Sequence, residues 1–368
     1  MKNKEIQKGR ILFVFAGAAI ITVIIVIIMT FQFQTETENP RVGCVLIGEH
    51  NDKGWNESHY KGLLKACKSK KCTLKIRENV KEKRLPVNKA VDELVADGCN
   101  VIFLTSYGYG RYADAIAKVY PDTAFYVESG NKKERNLTTY FARLYQVRYL
   151  AGIAAGAATK SNILGYVAGK PNTQTNRGIN AFALGARLVN PDARIFVYWT
   201  RSWDNRAEEK KAVQLLKKKG ADVLTYHEDK AYTIEAAEEE GICSIGYDAI
   251  YEEWSEKFLT AALYNWEIFY QQIIEDYLSG RANFSKEYWI GLEGDTVKLA
   301  PFSPLVSEDT KKLIAKESER IMKTRDVFSG LIYDNNGKLR CEENERISDM
   351  ELFSEMNWLV EGVEIAKE

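Results

Sequence analysis

The chain has 368 residues, of which 45% are hydrophobic and 28% charged, enough apolar material for one large or two medium cores and nothing that points to disorder. Lysine plus arginine equals aspartate plus glutamate at 51 each, so the whole-chain field gives no reason to expect a nucleic-acid partner. Six cysteines at positions 44, 67, 72, 99, 243 and 341 and only three histidines show no zinc-ligand spacing, and neither a metal nor a cofactor is expected.

The first element predicted in chain order is a membrane-spanning helix. Residues 1–10 carry Lys2, Lys4, Lys8 and Arg10, and an apolar run without an ionisable group follows from Ile11 to Phe31. About 20 such residues at 1.5 Å rise cross a hydrocarbon core of about 30 Å. The basic flank puts residues 1–10 in the cytoplasm and everything after the run outside, with 11–33 as an uncleaved signal anchor and 34–40 as a linker. A cleaved signal peptide is the rival reading, but its apolar core is shorter and ends in small residues. Lipid attachment at Cys44 is not expected, because Arg41 puts a charge in the box before it. The external location permits a disulfide, with Cys67, Cys72 and Cys99 the nearest candidates.

Beyond Pro40, short β-branched runs alternate with amphipathic stretches. Strands are predicted at 42–47, 74–80, 101–105 and 124–128, and helices at 60–67, 86–97 and 112–119. The last of these helices ends before Pro121. The pattern then restarts, with helices at 145–159, 175–189 and 205–219 and strands at 163–168, 194–200, 222–226 and 243–247. A long helix is expected from about Trp254 to Leu278, and a hairpin at Asp334-Asn335-Asn336-Gly337. Alternation of this kind implies parallel sheets, and roughly 330 residues outgrow a single core, so two lobes are predicted. The expected N-terminal lobe is 41–143 plus 251–287. The C-terminal lobe is 144–250 plus 288–368, with crossings near Arg143, Tyr251 and Tyr288.

Ligands of open α/β sheets bind beyond the carboxyl ends of the strands, so the loops there hold the candidate site. One reads Glu49-His50-Asn51-Asp52-Lys53-Gly54-Trp55-Asn56 and another Arg201-Ser202-Trp203-Asp204-Asn205. Each offers a tryptophan beside a polar amide or carboxylate. Two such rings can sandwich a flat ligand while Asn56 and Asp52 fix its polar edges. The same residues would equally serve as core caps and helix N-caps. Ser106 and Tyr107 follow a strand and are further candidates, whereas His50, His59 and His227 read as solvated loop residues. No Walker, Gly-x-Ser-x-Gly or His-Glu-x-x-His signature is present, and no catalytic residue is expected.

From Val42 to Asp248 the chain resembles the basic membrane protein family of ABC-importer substrate-binding lipoproteins, which includes purine nucleoside receptors. Asp52-Lys53-Gly54-Trp55-Asn56 is similar to the family's Asp-Lys-Ser-Phe-Asn, and Tyr149-Leu150-Ala151-Gly152 to its Phe-Leu-Ala-Gly. Gly165-Tyr166-Val167-Ala168-Gly169, Ser202-Trp203-Asp204 and Ile245-Gly246-Tyr247-Asp248 continue the match in order. The resemblance implies a type I periplasmic-binding-protein fold of two Rossmann-like lobes, behind the transmembrane helix, with an ABC permease as partner. It implies a nucleoside-like small molecule held between Trp55 and Trp203, with Asp248 accepting ribose hydroxyls, Asn56 as a second anchor and Glu49 in the family's upstream acidic place. His227-Glu228-Asp229-Lys230 departs from the family's glycine-rich segment, and Tyr264 stands near its lysine, which is absent. A membrane-anchored regulator that keeps the receptor fold is the alternative function.

Overall fold

In the computed structural model, the described residues are 40–130, 133–248, 254–324 and 327–367. The predicted spanning run at 11–33 lies outside them, and among the described residues no helix is long and apolar enough to cross a membrane. Residues 41–368 form one compact unit.

Two sheets organise it. The first contains β1 (Arg41–Val45), β2 (Thr73–Arg77), β3 (Val101–Leu104), β4 (Ala124–Glu128), β5 (Leu137–Ala142) and β11 (Tyr288–Ile290), in the order β11-β5-β4-β3-β1-β2. All of its pairings are parallel. Helices α1 (Trp55–Lys70), α2 (Arg84–Ala96), α3 (Gly110–Val119) and α8 (Trp266–Leu278) belong to this lobe. Covering both faces explains why β3, β4 and β5 are buried at every position.

The second sheet contains β6 (Ile163–Ala168), β7 (Arg194–Trp199), β8 (Val223–His227), β9 (Cys243–Tyr247), β10 (Phe258–Tyr264), β12 (Val297–Leu299) and β15 (Val363–Ile365). Its order is β12-β10-β9-β8-β6-β7-β15, parallel except for the β10–β12 pair. Around it lie α4 (Tyr145–Ala158), α5 (Thr173–Val189), α6 (Arg206–Lys218), α7 (Tyr232–Glu240) and α9 (Glu308–Thr324). The predicted turn at Asp334 joins β13 (Ile332–Tyr333) to β14 (Leu339–Cys341), with Gly337 at φ +81.

Three expectations change. The helix predicted over 254–278 is strand β10 followed by α8. Residues 259–263 are buried on both faces, and an apolar run of that kind has no period that separates strand from helix. β5 is absent from the sequence reading because Thr138 and Thr139 interrupt its apolar run, although both are buried. The lobe boundaries shift accordingly: 258–264, expected in the N-terminal lobe, joins the second sheet, and 288–290, expected in the C-terminal lobe, pairs with β5. The crossing expected near Tyr251 lies outside the described residues, and the chain passes from β10 to α8 at Asn265.

Helices α4 and α5 meet almost backbone to backbone. A Cβ added at Gly152 would lie 2.1 Å from the Phe182 carbonyl oxygen, one at Gly156 2.4 Å from that of Ala186, and one at Gly185 1.9 Å from that of Tyr149. The Leu-Ala-Gly and Gly-Ala-Arg segments thus have a packing reason for their glycines. Gly185→Ala gains about 1 kcal/mol of helix propensity but must push the helices apart, so a net loss of about 2 kcal/mol is expected. Urea unfolding of the two proteins measures it.

A candidate ligand cleft between the lobes

Asp52 and Asn56, predicted as ligand anchors, are engaged within their own loop. The Asp52 carboxylate accepts from the backbone N–H groups of Gly54 (3.0 Å), Asn56 (3.2 Å) and Glu57 (3.0 Å), and from Asn56 Nδ2 (2.7 Å). Asn56 Oδ1 in turn accepts from Gly48 N at 3.0 Å. A carboxylate is needed there because the first turn of α1 presents unpaired N–H groups. Ser106 is buried and donates to Glu82 (2.6 Å), which also accepts from Gly108 N (2.6 Å), so these contacts hold the turn after β3. Glu49 and Tyr107 are exposed. Asn205 is the N-cap of α6, accepting from Glu208 N at 3.2 Å.

The two tryptophans sit at loops that meet. Trp55 N donates to Asp229 O (3.4 Å), and Asp229 N donates to Trp203 O (2.8 Å), so one residue of the second lobe links both loops. The Trp55 indole donates to Thr105 O at 2.9 Å. Its ring lies edge-on to His59 (4.3 Å), Tyr264 (5.8 Å) and Trp266 (6.1 Å). Trp203 is half-buried over Gly169, where an added Cβ would lie 2.3 Å from the ring, and its centroid is 6.1 Å from that of His227. Asp248, with φ +50 at the end of β9, reaches back to the first lobe and accepts from Ser58 Oγ at 2.6 Å. Beside this contact lies a cleft of about 300 Å³ lined in part by Gly54, Ser58, Asp248, Tyr264 and Trp266.

The histidines correct the sequence reading. His59 is fully buried, stacked on Trp266 at 4.3 Å, with Nδ1 2.5 Å from the Tyr270 hydroxyl, and His227 is buried beside Tyr247 at 4.5 Å. Burial holds both imidazoles well below their ordinary value. The cysteines are free thiols. No group of side chains that could hold a metal occurs among the described residues.

Sequence reasoning missed Ser58, Asp229, Arg148, Arg177 and Glu228. Arg148 alone carried a signal, as the one charge in the apolar helix Tyr145–Ala158. Among the described residues Glu228 forms no ion pair; Thr200 Oγ1 donates to its Oε1 at 2.7 Å while Oε2 is buried without a partner. Burial pushes the Glu228 carboxyl up to about 9, and pushes Asp248 well above the carboxylate range.

Two outcomes follow from these contacts. A Cβ at Gly54 would lie 1.8 Å from the Asp229 carbonyl oxygen. Gly54→Ala therefore opens the lobes while sparing each core, seen as a larger radius of gyration in small-angle scattering with little change in Tm. Glu228 holds its proton up to about 9 in the folded state but only to about 4.3 unfolded. The native state binds more protons between those values, so this group's stabilisation is complete below the lower one and declines as pH rises toward the upper. Glu228→Gln removes that decline, and the Tm of the variant relative to the parent, followed from pH 5 to pH 9, should rise.

Residues 39–329 match the family model for ABC transporter substrate-binding proteins of the PnrA-like type. A purine-binding protein of Brucella abortus (strain 2308) is 33% identical over 333 residues, 89% of this chain and 93% of its own. The transcriptional activator protein med of Bacillus subtilis (strain 168) is 26% identical over 291 residues, 78% of this chain and 90% of its own. Among solved structures, an ABC transporter solute-binding protein from Conexibacter woesei DSM 14684 shares the fold with a TM-score of 0.66 at 19% identity, covering 78% of this chain and 97% of that one. The two parallel sheets, the cleft at their strand ends and a family match over most of the chain lead to one assignment: this protein belongs to the PnrA-like family of ABC transporter substrate-binding proteins, a family of solute receptors rather than enzymes.

Proposed function

We propose that the protein is a membrane-tethered, extracytoplasmic receptor that takes a purine nucleoside or a related small molecule into the interlobe cleft and presents the closed lobes to an ABC permease. The observation that carries this reading is the interlobe contact itself. Trp55 and Ser58 of the first lobe meet Asp229 and Asp248 of the second at the strand ends, where a ligand bridging both sides would favour closure. Aromatic rings from both lobes flank the place, and the Brucella relative is named for purine binding. The tether is the run Ile11–Phe31 behind its basic flank, which would leave the receptor outside the membrane with residues 1–10 in the cytoplasm.

A regulatory role is the second reading, favoured by the relative named as a transcriptional activator. Uptake of labelled nucleoside by cells lacking the chain separates the two. Lost uptake supports import, and normal uptake with altered transcription supports regulation.

Ligand class is tested by calorimetry on the purified full-length chain with nucleosides, free bases and sugars. A purine nucleoside should bind, and Trp55→Ala and Trp203→Ala should each weaken it by roughly tenfold or more, as expected for loss of a stacked ring. Absence of purine binding at millimolar concentration would sink the ligand assignment, and unchanged affinity in both variants would move the site elsewhere.

A further inference from the structure

A second and smaller cavity, which shares Tyr264 with the cleft, is lined by Phe141, Tyr145, Arg148, Arg177, His227 and Tyr264. It measures about 10 Å³, room for roughly one water molecule. Two guanidinium groups line it, Arg148 at 1% and Arg177 at 3% exposure. Among the described residues neither forms an ion pair with a carboxylate. Arg148 donates to Thr225 Oγ1 (3.2 Å) and Tyr226 O (2.8 Å), and its Nε is buried without a partner. Arg177 donates from Nη1 to Leu352 O. Their remaining support is aromatic: the Arg148 guanidinium carbon lies 4.4 Å from the Tyr247 ring centroid, and that of Arg177 lies 5.3 Å from the Trp289 centroid.

Unpaired buried charge is costly and is kept where it has a task. The carboxyls nearest in the fold do not neutralise it at neutral pH. Burial raises Glu128, whose charge acts on Arg177, to about 8 and pushes Asp248, whose charge acts on Arg148, well above the carboxylate range, so both are weak counter-charges. Burial, reinforced by the two arginines, also keeps His227 uncharged, and its Nδ1 has no partner. The cavity is therefore rich in donors and positive, and the group that completes it is an acceptor. Gln174, also on the lining, can present either its oxygen or its nitrogen and does not discriminate.

We propose that Arg148 and Arg177 form the specificity pole of the cleft, reading the O6 and N7 acceptors of a 6-oxopurine and disfavouring a 6-aminopurine, whose N6 group is a donor. Arginine takes the O6/N7 edge of guanine in a bidentate grip and has no acceptor to offer a 6-amino group. A donor aimed at a donor leaves both unpaired in a dry site, which is the stronger source of selectivity. This inference rests on the purine reading and sharpens it.

The test compares inosine and guanosine with adenosine by calorimetry on the full-length chain. The oxopurine nucleosides should bind roughly tenfold tighter or better. Arg148→Met and Arg177→Met should bring that ratio toward one, and Arg148→Lys, which keeps the charge, should preserve part of it. Equal or tighter binding of adenosine by the parent protein overturns the proposal and leaves the purine reading standing. So does an unchanged ratio in both methionine variants with their Tm intact. Absence of binding by every purine overturns both. Because the parent protein's own selectivity decides the matter, a variant that fails to fold does not shelter the proposal.

Discussion

The chain passes between its two sheets three times, and what the cleft can do depends on how those passages are tied together. Arg143, leaving β5, donates from its backbone N to Ile290 O at 2.7 Å and from Nε to Trp289 O at 3.1 Å, and its guanidinium lies 3.8 Å over the Trp289 ring. Asn265, between β10 and α8, donates to Thr296 O at 2.8 Å. Gln146 Oε1 accepts from Leu292 N at 2.8 Å. The passages therefore bond to one another rather than hanging as separate linkers. Short passages bonded to one another in this way are the usual build of a hinge. The Arg143–Asp349 ion pair, with Asp349 two-thirds exposed, fastens the C-terminal segment to the same place.

That arrangement decides which groups are buried when the lobes meet. β8 and β9 end against the first lobe, so His227, Glu228 and Asp248 lose water at a position where strand ends normally offer it. The two carboxyls rise because desolvation outweighs their donors, the Thr200 hydroxyl for Glu228 and the Ser58 hydroxyl with the Tyr264 backbone N–H for Asp248. Contrast Asp52, whose carboxylate is held by several N–H donors at the start of α1. Three of the carboxylates at strand ends thus have different tasks: Asp52 holds a loop, Glu228 is a buried acid, and Asp248 joins the lobes.

Alternation of apolar runs with amphipathic helices made most of the two sheets legible, since each β–helix–β unit leaves its own period. What escaped had no such period. β10 is apolar on both faces and reads equally as helix, and β5 is broken by threonines whose burial is decided by neighbours far along the chain. The aromatic loops at Trp55 and Trp203 were legible as strand-end loops, and the structure brings them together through Asp229. The hydrogen-bonding of Asp52 and Asn56 was not legible, because a carboxylate that caps a helix and one that grips a ligand have the same sequence signature. Ser58, Arg177 and Glu228 acquire their places only through the packing of separate elements. Each is an ordinary polar residue until the lobes meet.

Among the described residues, the long 3.4 Å bond from Trp55 N to Asp229 O and the 2.6 Å bond from Ser58 to Asp248 join the lobes across the cleft. Each hydrogen bond of this sort nets about 1 kcal/mol, and the burial of Asp248 works against the second. Inverting a hundredfold preference between open and closed states takes about 5.5 kcal/mol. Those two contacts together fall well short of that. On the proposed function the remainder would come from a ligand that touches both lobes at once, and the groups with capacity to do so are the ring faces of the cleft and the Arg148 Nε, buried without a partner. On the proposed function, a receptor built in this way would signal occupancy through its shape, since a ligand bridging both lobes adds contacts that the two hydrogen bonds alone do not supply.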